Sequence, residues 1–293
     1  MQFDRVINLR IRVANPPPSI TYRGDMDISN LRMAFSVYKS QSWSTNTANI
    51  RVWNLGADKR NILNNYGNEV KIFAGYRRET GPELLFIGNS SLTTHIFAEP
   101  EIISVFDCGD GEKTLNSILA SASFGANTPV KQVIQFYADL LGFDIVYMTP
   151  TDDLVYSLGH KYTGIAKQGL EIACAALGLV PSVQNNNLII IKTGEATAKP
   201  PALIDPNTGM IGIPQRFTDR RQYNYRALPK FGGAPKPGWK VRCLLRPDIL
   251  PGDRVRIRSA RADIDGIFLV DSIRHEGDTF GPTFESLLEV ISV

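Results

Sequence analysis

Alternating apolar and polar residues characterise the first hundred positions of the chain. Ile7, Leu9, Ile11 and Val13 alternate with polar residues, and this period of two predicts a half-buried strand. The prolines at 16–18 end it, because proline has no N–H to donate to a sheet. The same reasoning predicts strands over residues 31–38, 47–54, 69–76, 83–97 and 101–107, and one short helix over residues 57–63.

The apolar spacing changes to three and four after residue 109. Val130, Val133, Ile134 and Tyr137 recur at this spacing, which predicts a helix over residues 129–141. Further predicted elements are helices over 113–121 and 165–177, a strand over 143–148, and a β-hairpin of residues 180–183 and 188–192. Helices and strands in this order predict a small α+β module.

A second strand-rich region follows residues 193–202, which have the composition of a linker. Strands are predicted over residues 209–217, 238–245, 254–259, 266–276 and 283–290. We therefore predict an α+β fold that is mainly β. Two β-barrel or β-sandwich domains, residues 1–108 and 201–293, would flank an α+β module of residues 109–200.

The composition is that of an ordinary globular protein, with 43% hydrophobic and 21% charged residues. No apolar stretch approaches the roughly 18 residues of a membrane span, and the first residues show no apolar secretory segment. The three cysteines, Cys108, Cys174 and Cys243, form no CxxC pair, so we expect small buried thiols. We expect a protein that is made in the cytoplasm.

Positive charge is concentrated near the C-terminus. Residues 216–261 contain thirteen basic and three acidic residues, a net charge of +10 in a chain of net +3. Three interpretations stay open: a solvated face, a contact with an acidic neighbour, or binding of DNA. DNA is the weakest of them, because the sequence offers no recognition helix or aromatic platform. Arg254, Arg256 and Arg258 must share one face of their strand.

Candidate catalytic and metal-binding residues are few and scattered. The carboxylates Asp107, Asp110 and Glu112 lie near one another, as do Asp152 and Asp153, but both groups lie at element ends, where acidic residues usually cap or turn the chain. The three histidines, His95, His160 and His275, have no second ligand at metal-binding spacing. We therefore predict no catalytic, cofactor or metal site.

Several segments resemble phage baseplate hub proteins, the family found in contractile-tailed phages and related tail tips. The C-terminal resemblance lies in residues 208–216, 241–257, 266–270 and 275–278. The run LRPDILPGD at 245–253 has the prolines and Gly-Asp of a turn between strands. The N-terminal resemblance lies in TANIRVWNL at 47–55 and VKIFAGY at 70–76. With the middle module, it extends over nearly the whole chain.

This resemblance implies a structural virion protein in the tail baseplate. Its two β domains would be similar to the tail-tube protein, and a homotrimer would place six such domains in a ring. The implied partners are the tail tube or a distal tail protein, the central spike or tip, and other baseplate proteins. DNA would pass through the ring without specific binding. Edge strands that pair with neighbours would satisfy this role.

The aromatic loop of residues 220–237 and the basic strand are the predicted partner contacts. The loop contains Tyr223, Tyr225 and Phe231, and long loops of this kind are usually functional or disordered. We expect it to dock on a neighbouring subunit or the spike. With Arg254, Arg256 and Arg258 these residues make up the candidate site.

Three alternatives remain. The first is a hub of a phage-tail-like bacteriocin or of a type VI secretion spike. The second is a tail-associated cell-wall hydrolase, which would need two carboxylates across a cleft. The third is a receptor-binding or sugar-binding β protein with no tube partner.

Overall fold

Strands dominate the part of the chain that the computed structural model describes, residues 4–14, 25–64, 67–78, 81–110, 117–151, 154–219 and 236–292. The N-terminal strands are β1 (Arg5–Arg12), β2 (Asp25–Ile28), β3 (Met33–Ser40), β4 (Thr47–Trp53), β5 (Glu69–Tyr76), β6 (Gly81–Ala98) and β7 (Glu101–Gly109). Helix α1 (Ala57–Leu63) lies between β4 and β5. Its bounds are those predicted from the sequence.

Where the structure describes the middle of the chain, short strands alternate with two helices of ten or more residues. These strands are β8 (Leu119–Phe124), β9 (Thr128–Pro129), β10 (Asp144–Met148), β11 (Val155–Tyr156), β12 (His160–Ile165), β13 (Leu179–Gln184) and β14 (Asn187–Lys192). The helices are α2 (Val130–Leu141) and α3 (Ala166–Ala175). Gly142 ends α2 with a φ of +72°, a left-handed conformation that glycine adopts without steric cost.

The C-terminal part returns to strands. They are β15 (Ala202–Ile204), β16 (Met210–Asp219), β17 (Lys236–Leu244), β18 (Arg254–Ser259), β19 (Ile264–Asp278) and β20 (Phe284–Ser292), with a 3₁₀ turn at Ala260–Ala262. No helix among the described residues has both the length and the apolar character needed to cross a bilayer.

One helix prediction is wrong in its last part: Ser117 is helical, but the helix does not extend beyond it. Residues 119–121 of the predicted helix 113–121 belong to β8, which pairs antiparallel with β12. Ala120 and Ala122 are buried, while Ser121 between them is exposed. This alternation of period two decides for a strand, but small residues carry too weak an apolar signal for it to be read in advance.

Both strand-rich regions belong to one sheet. Its strand order is β16-β17-β20-β19-β3-β4-β7-β6-β5-β1-β2, with β15 and β18 attached through β19. The two regions meet where β3 pairs antiparallel with β19, over Ser40↔Ser272 to Ala34↔Asp278. A strand of the first forty residues is therefore a direct neighbour of one that starts after residue 260.

Three hydrophobic clusters are formed by the residues that the structure describes. The first is built from β1–β7 and α1, and includes Leu245 and Phe284 from the C-terminal part. The second packs α2 and α3 against the middle strands, with Tyr137 fully buried. The third lies among the C-terminal strands around Val241 and Val270. Cys108, Cys174 and Cys243 are free and buried, as predicted.

Candidate functional site

One face of the long sheet is polar and lies opposite the hydrophobic clusters. The register places Arg242, Arg274, Tyr38 and Thr47 in one row across β17, β19, β3 and β4. Alternate residues of a strand point to opposite faces. We call this surface the open face. Its side chains are Lys240, Arg242, Glu285, Leu287, Glu289, Arg274, Glu276, Ser36, Tyr38, Thr47, Asn49, Arg51, Val105, Asp107, Leu92, Thr94 and Ile96.

Most charges on the open face are paired within the chain. The Lys240 Nζ lies 2.8 Å from a carboxylate oxygen of Glu289. The Arg242 guanidinium donates to both carboxylate oxygens of Glu285 at 2.8 Å, and this hydrogen bond raises the pKa of Arg242. The Arg274 guanidinium lies over the ring of Tyr38, 5.8 Å from its centroid. Paired charges of both signs attract a passing polyanion weakly.

A shallow depression of about 410 Å³ lies in the middle of the open face. Asn49 donates from its amide nitrogen to Asp107 at 2.6 Å there, and Ser91 donates to the Asp107 carbonyl at 3.0 Å. Arg274 and Tyr38 form its other side. The depression contains one carboxylate, so it does not offer the acid pair that a glycosidase requires.

A buried polar joint attaches the middle module to the sheet. The Asp110 side chain, fully buried at the end of β7, accepts from the backbone N–H of Asn185 at 2.8 Å and of Asn186 at 3.0 Å. These two asparagines form the two-residue turn between β13 and β14, and both have positive φ, as a type I′ turn requires. Asn46 donates to the Val183 carbonyl at 2.6 Å.

Lys39 completes this joint with a fully buried ammonium group. Its Nζ donates to the Asn185 Oδ1 at 2.8 Å. Burial lowers the pKa of Lys39 to about 8, and the charge of Asp110 partly opposes this shift. Burial likewise raises the pKa of the Asp110 carboxyl, against the hydrogen bonds from Asn186 and Asn185.

Sequence reasoning missed the joint, although one signal was present. Lys39 continues the alternating series of Met33, Phe35 and Val37, so its position in the strand places it on the buried face. For Asp110, the local sequence indicates only a catalytic, capping or turn-forming role. It holds a turn that lies 75 residues away in sequence.

The other acidic and histidine candidates do not form a reactive centre. Asp107 and Asp110 point to different surroundings, one exposed and one buried, and Glu112, Asp152 and Asp153 lie outside the described residues. His275 is fully buried and its Nδ1 lies 2.8 Å from the Ser286 Oγ. Burial lowers the pKa of His275 to about 3, so its ring is neutral at pH 7. Within the described ranges no group of three possible metal ligands occurs.

The basic strand β18 has the predicted alternation but carries compensated charge. Arg256 and Arg258 are exposed, while Val255 and Ile257 are buried. The Arg256 guanidinium lies 2.9 Å from Asp265, and the Arg258 guanidinium lies 2.7 Å from Asp205, whose pKa it lowers.

Arg254 is half-buried and belongs to the same face. The predicted partner contacts Tyr223, Tyr225 and Phe231 lie outside the described residues. The excess charge of residues 216–261 is thus partly balanced by acids elsewhere in the chain.

No family model matches the sequence, and a search of curated proteins finds no match either. Solved structures do match over the whole chain. A 43 kDa tail protein of prophage MuSo2 from Shewanella oneidensis has a TM-score of 0.68 at 11% identity, covering 99% of this chain and 98% of that one. A tail protein from Neisseria meningitidis has a TM-score of 0.68 at 10% identity, covering 99% and 97%.

Two further neighbours extend the comparison. Prophage tail protein gp18 from Listeria monocytogenes has a TM-score of 0.57 at 10% identity, with coverage of 98% and 94%. A component of the type VI secretion system of E. coli has a TM-score of 0.58 at 10% identity, covering 97% of this chain and 76% of that one. The chain therefore has the fold of phage tail and tail-related proteins.

Proposed function

We propose that the chain is a structural subunit of a phage tail baseplate, a hub of which three copies form a ring. The ring joins the tail tube to the central spike or tip and lets DNA pass. The chain acts there as three parts, residues 1–108, 109–200 and 201–293. Three separate hydrophobic clusters support this division, as does the fold shared with tail proteins.

The observation that carries the proposal is the pairing of β3 with β19. It joins the N-terminal and C-terminal strands side by side in one sheet, so each chain presents two β regions to a ring. Three chains would then present six, the number that a six-fold tube requires. The buried hydrogen bonds of Asp110 to the hairpin turn hold the middle module against this sheet.

The open face supports the passage of DNA. Lys240, Arg242 and Arg274 are each held by a carboxylate or a ring, and the small polar residues Ser36 and Thr47 lie near Arg274 on the next two strands. Because counterion release by unpaired cations is what binds DNA, a face of this kind would line a channel without retaining its cargo.

The partners proposed for this hub are the tail tube or a distal tail protein, the spike or tip, and other baseplate proteins. Its place is the virion. A hub of a tail-derived secretion device is the second candidate, and the similarity to the E. coli type VI component favours it. Imaging of particles from cells that express the chain separates the two, because only a phage tail ends in a DNA-filled capsid.

Light scattering of the purified chain, followed by negative-stain images, tests the ring. We expect a particle of three times 32.5 kDa with three-fold symmetry, which binds one end of tail tubes. A monomer that is indifferent to tube and spike proteins would refute the hub. Degradation of peptidoglycan that is lost on one carboxylate substitution would instead establish the cell-wall hydrolase.

A further inference from the structure

The joint between the sheet and the middle module brings an amine and a carboxamide into contact. The Lys39 Nζ donates to the Asn185 Oδ1 at 2.8 Å, between residues that are 146 positions apart in sequence. The carboxamide carbon is one bond beyond this oxygen. A small rotation of either side chain therefore places it at the roughly 3–3.5 Å from which a nucleophile attacks.

A carboxyl group lies beside this pair. The Asp110 side chain accepts from the backbone N–H of Asn185 at 2.8 Å, and the charges of Asp110 and Lys39 interact. Amide formation between two side chains needs a nucleophile, a carbonyl carbon with a leaving group, and a group that moves the proton. The joint contains all three.

Burial favours the reactive protonation states. Lys39 and Asp110 are both fully buried. Burial lowers the pKa of Lys39 to about 8 and raises the pKa of Asp110, and both shifts favour the uncharged amine, whose lone pair can attack. His275 on β19 is the other titratable group whose charge interacts with that of Lys39, and burial keeps its ring neutral by lowering its pKa to about 3.

We propose that Lys39 and Asn185 join in an isopeptide bond, which ties β3 of the sheet covalently to the hairpin of the middle module. The uncharged Lys39 Nζ attacks the Asn185 Cγ, a C–N bond forms, the Cγ–Nδ2 bond breaks, and ammonia leaves. Asp110 takes the proton that the attacking nitrogen loses and returns it to the nitrogen that leaves. No electron is gained or lost, and no further reactant is required.

The bond would close a long loop of the chain. This loop runs from β3 to the turn between β13 and β14, and it contains α1, α2 and α3. Closing it lowers the conformational entropy of the unfolded chain, so the reacted chain unfolds at a higher urea concentration. The reaction takes place within one chain and is therefore independent of the proposed function.

The reaction also consumes the Lys39 amine. A chain that has reacted carries no ammonium at this position, whereas an unreacted chain keeps the titration of Lys39. Unfolding measured as a function of pH therefore reports the burial of this charge only in chain that has the full mass of its sequence.

Intact-mass spectrometry of the purified chain, incubated at pH 9, where the Lys39 amine is largely uncharged, tests the bond. We expect the mass to fall by one ammonia. The denatured chain should migrate faster on a reducing gel, because a closed loop makes it more compact. After trypsin digestion, residues 33–51 and 168–192 should appear as one joined peptide without cleavage after Lys39, and its fragmentation should place the bond at Asn185.

Four variants define the chemistry. Lys39→Met and Asn185→Gly each remove one reactant and should keep the full mass; glycine tolerates the φ of +55° at position 185. Asp110→Asn keeps an acceptor for the turn but moves no proton, so it should slow the loss of ammonia by roughly 10²-fold or more. Lys192→Met removes an exposed lysine of the same hairpin and, as the control, should react like the native chain.

A native chain that keeps its full mass at pH 9 would overturn the proposal. Loss of ammonia that persists in Lys39→Met would overturn it too, because an asparagine that cyclises onto its own backbone loses the same molecule. An unchanged rate in Asp110→Asn would refute the proton transfer by Asp110. Light scattering of the ring is a separate measurement, so failure of this bond leaves the hub standing.

Discussion

The buried ammonium of Lys39 makes a prediction about stability that is separate from the assembly. Its pKa is about 8 in the folded chain against 10.5 as the ordinary value. One pKa unit corresponds to about 1.4 kcal/mol, so burial of the charged form costs about 3 kcal/mol at pH 7. The unfolded chain binds this proton more tightly, so stability rises as pH increases from about 8 to 10.5.

The substitution Lys39→Met removes the titration and keeps the length of the side chain. At pH 7 two effects oppose each other: the desolvation cost disappears, but Asn185 Oδ1 loses its donor, which costs about 1–3 kcal/mol. The change of the unfolding free energy with pH reports only the first effect, because the lost hydrogen bond costs about the same at each pH. Between pH 7 and pH 10.5 the native chain should gain about 3 kcal/mol relative to the variant.

Urea unfolding at pH 7, 8, 9 and 10, followed by circular dichroism, measures this difference. Lys192→Met is the matched control, because Lys192 is 59% exposed and pairs with Glu195 at the surface. Its profile should follow that of the native chain. If the stability of Lys39→Met and of the native chain changed with pH in parallel, burial would not lower the pKa of Lys39 as described.

Two further predictions concern the exposed end of β6 and a turn. Leu92→Lys with Ile96→Lys, at two exposed apolar positions where β6 pairs only with β7, should weaken the proposed trimer in light scattering while the melting temperature changes little, because lysine on a free strand edge opposes pairing with another strand; Leu158→Lys is the control, and unchanged trimers in the double variant would contradict a role of this edge in the ring. Gly252→Ala should destabilise the chain by about 1–2 kcal/mol, since Gly252 has a φ of +91° and a Cβ there would lie 2.6 Å from Ile191. Gly56→Ala, with no atom within 4 Å of its Cβ, should melt at the native temperature, and equal losses in both variants would refute the steric argument.

Much of the local structure could be predicted from residue patterns. The turn at Asn185 and Asn186 and the end of α2 at Gly142 both depend on residues that tolerate positive φ. The short strands β2, β9, β11, β12 and β15 were not predicted, because two to six residues without strong alternation carry little signal.

The sequence by itself determined the longer strands, helices α1, α2 and α3, and the absence of a recognisable catalytic motif, because period, turn residues and caps act over a few neighbouring positions. Only the tertiary structure decided that β3 lies beside β19, that Asp110 holds a turn 75 residues away, and that the basic strand is balanced by Asp265 and Asp205. These pairings join distant segments. Their partners are set by register and packing across the whole sheet, which no local pattern encodes.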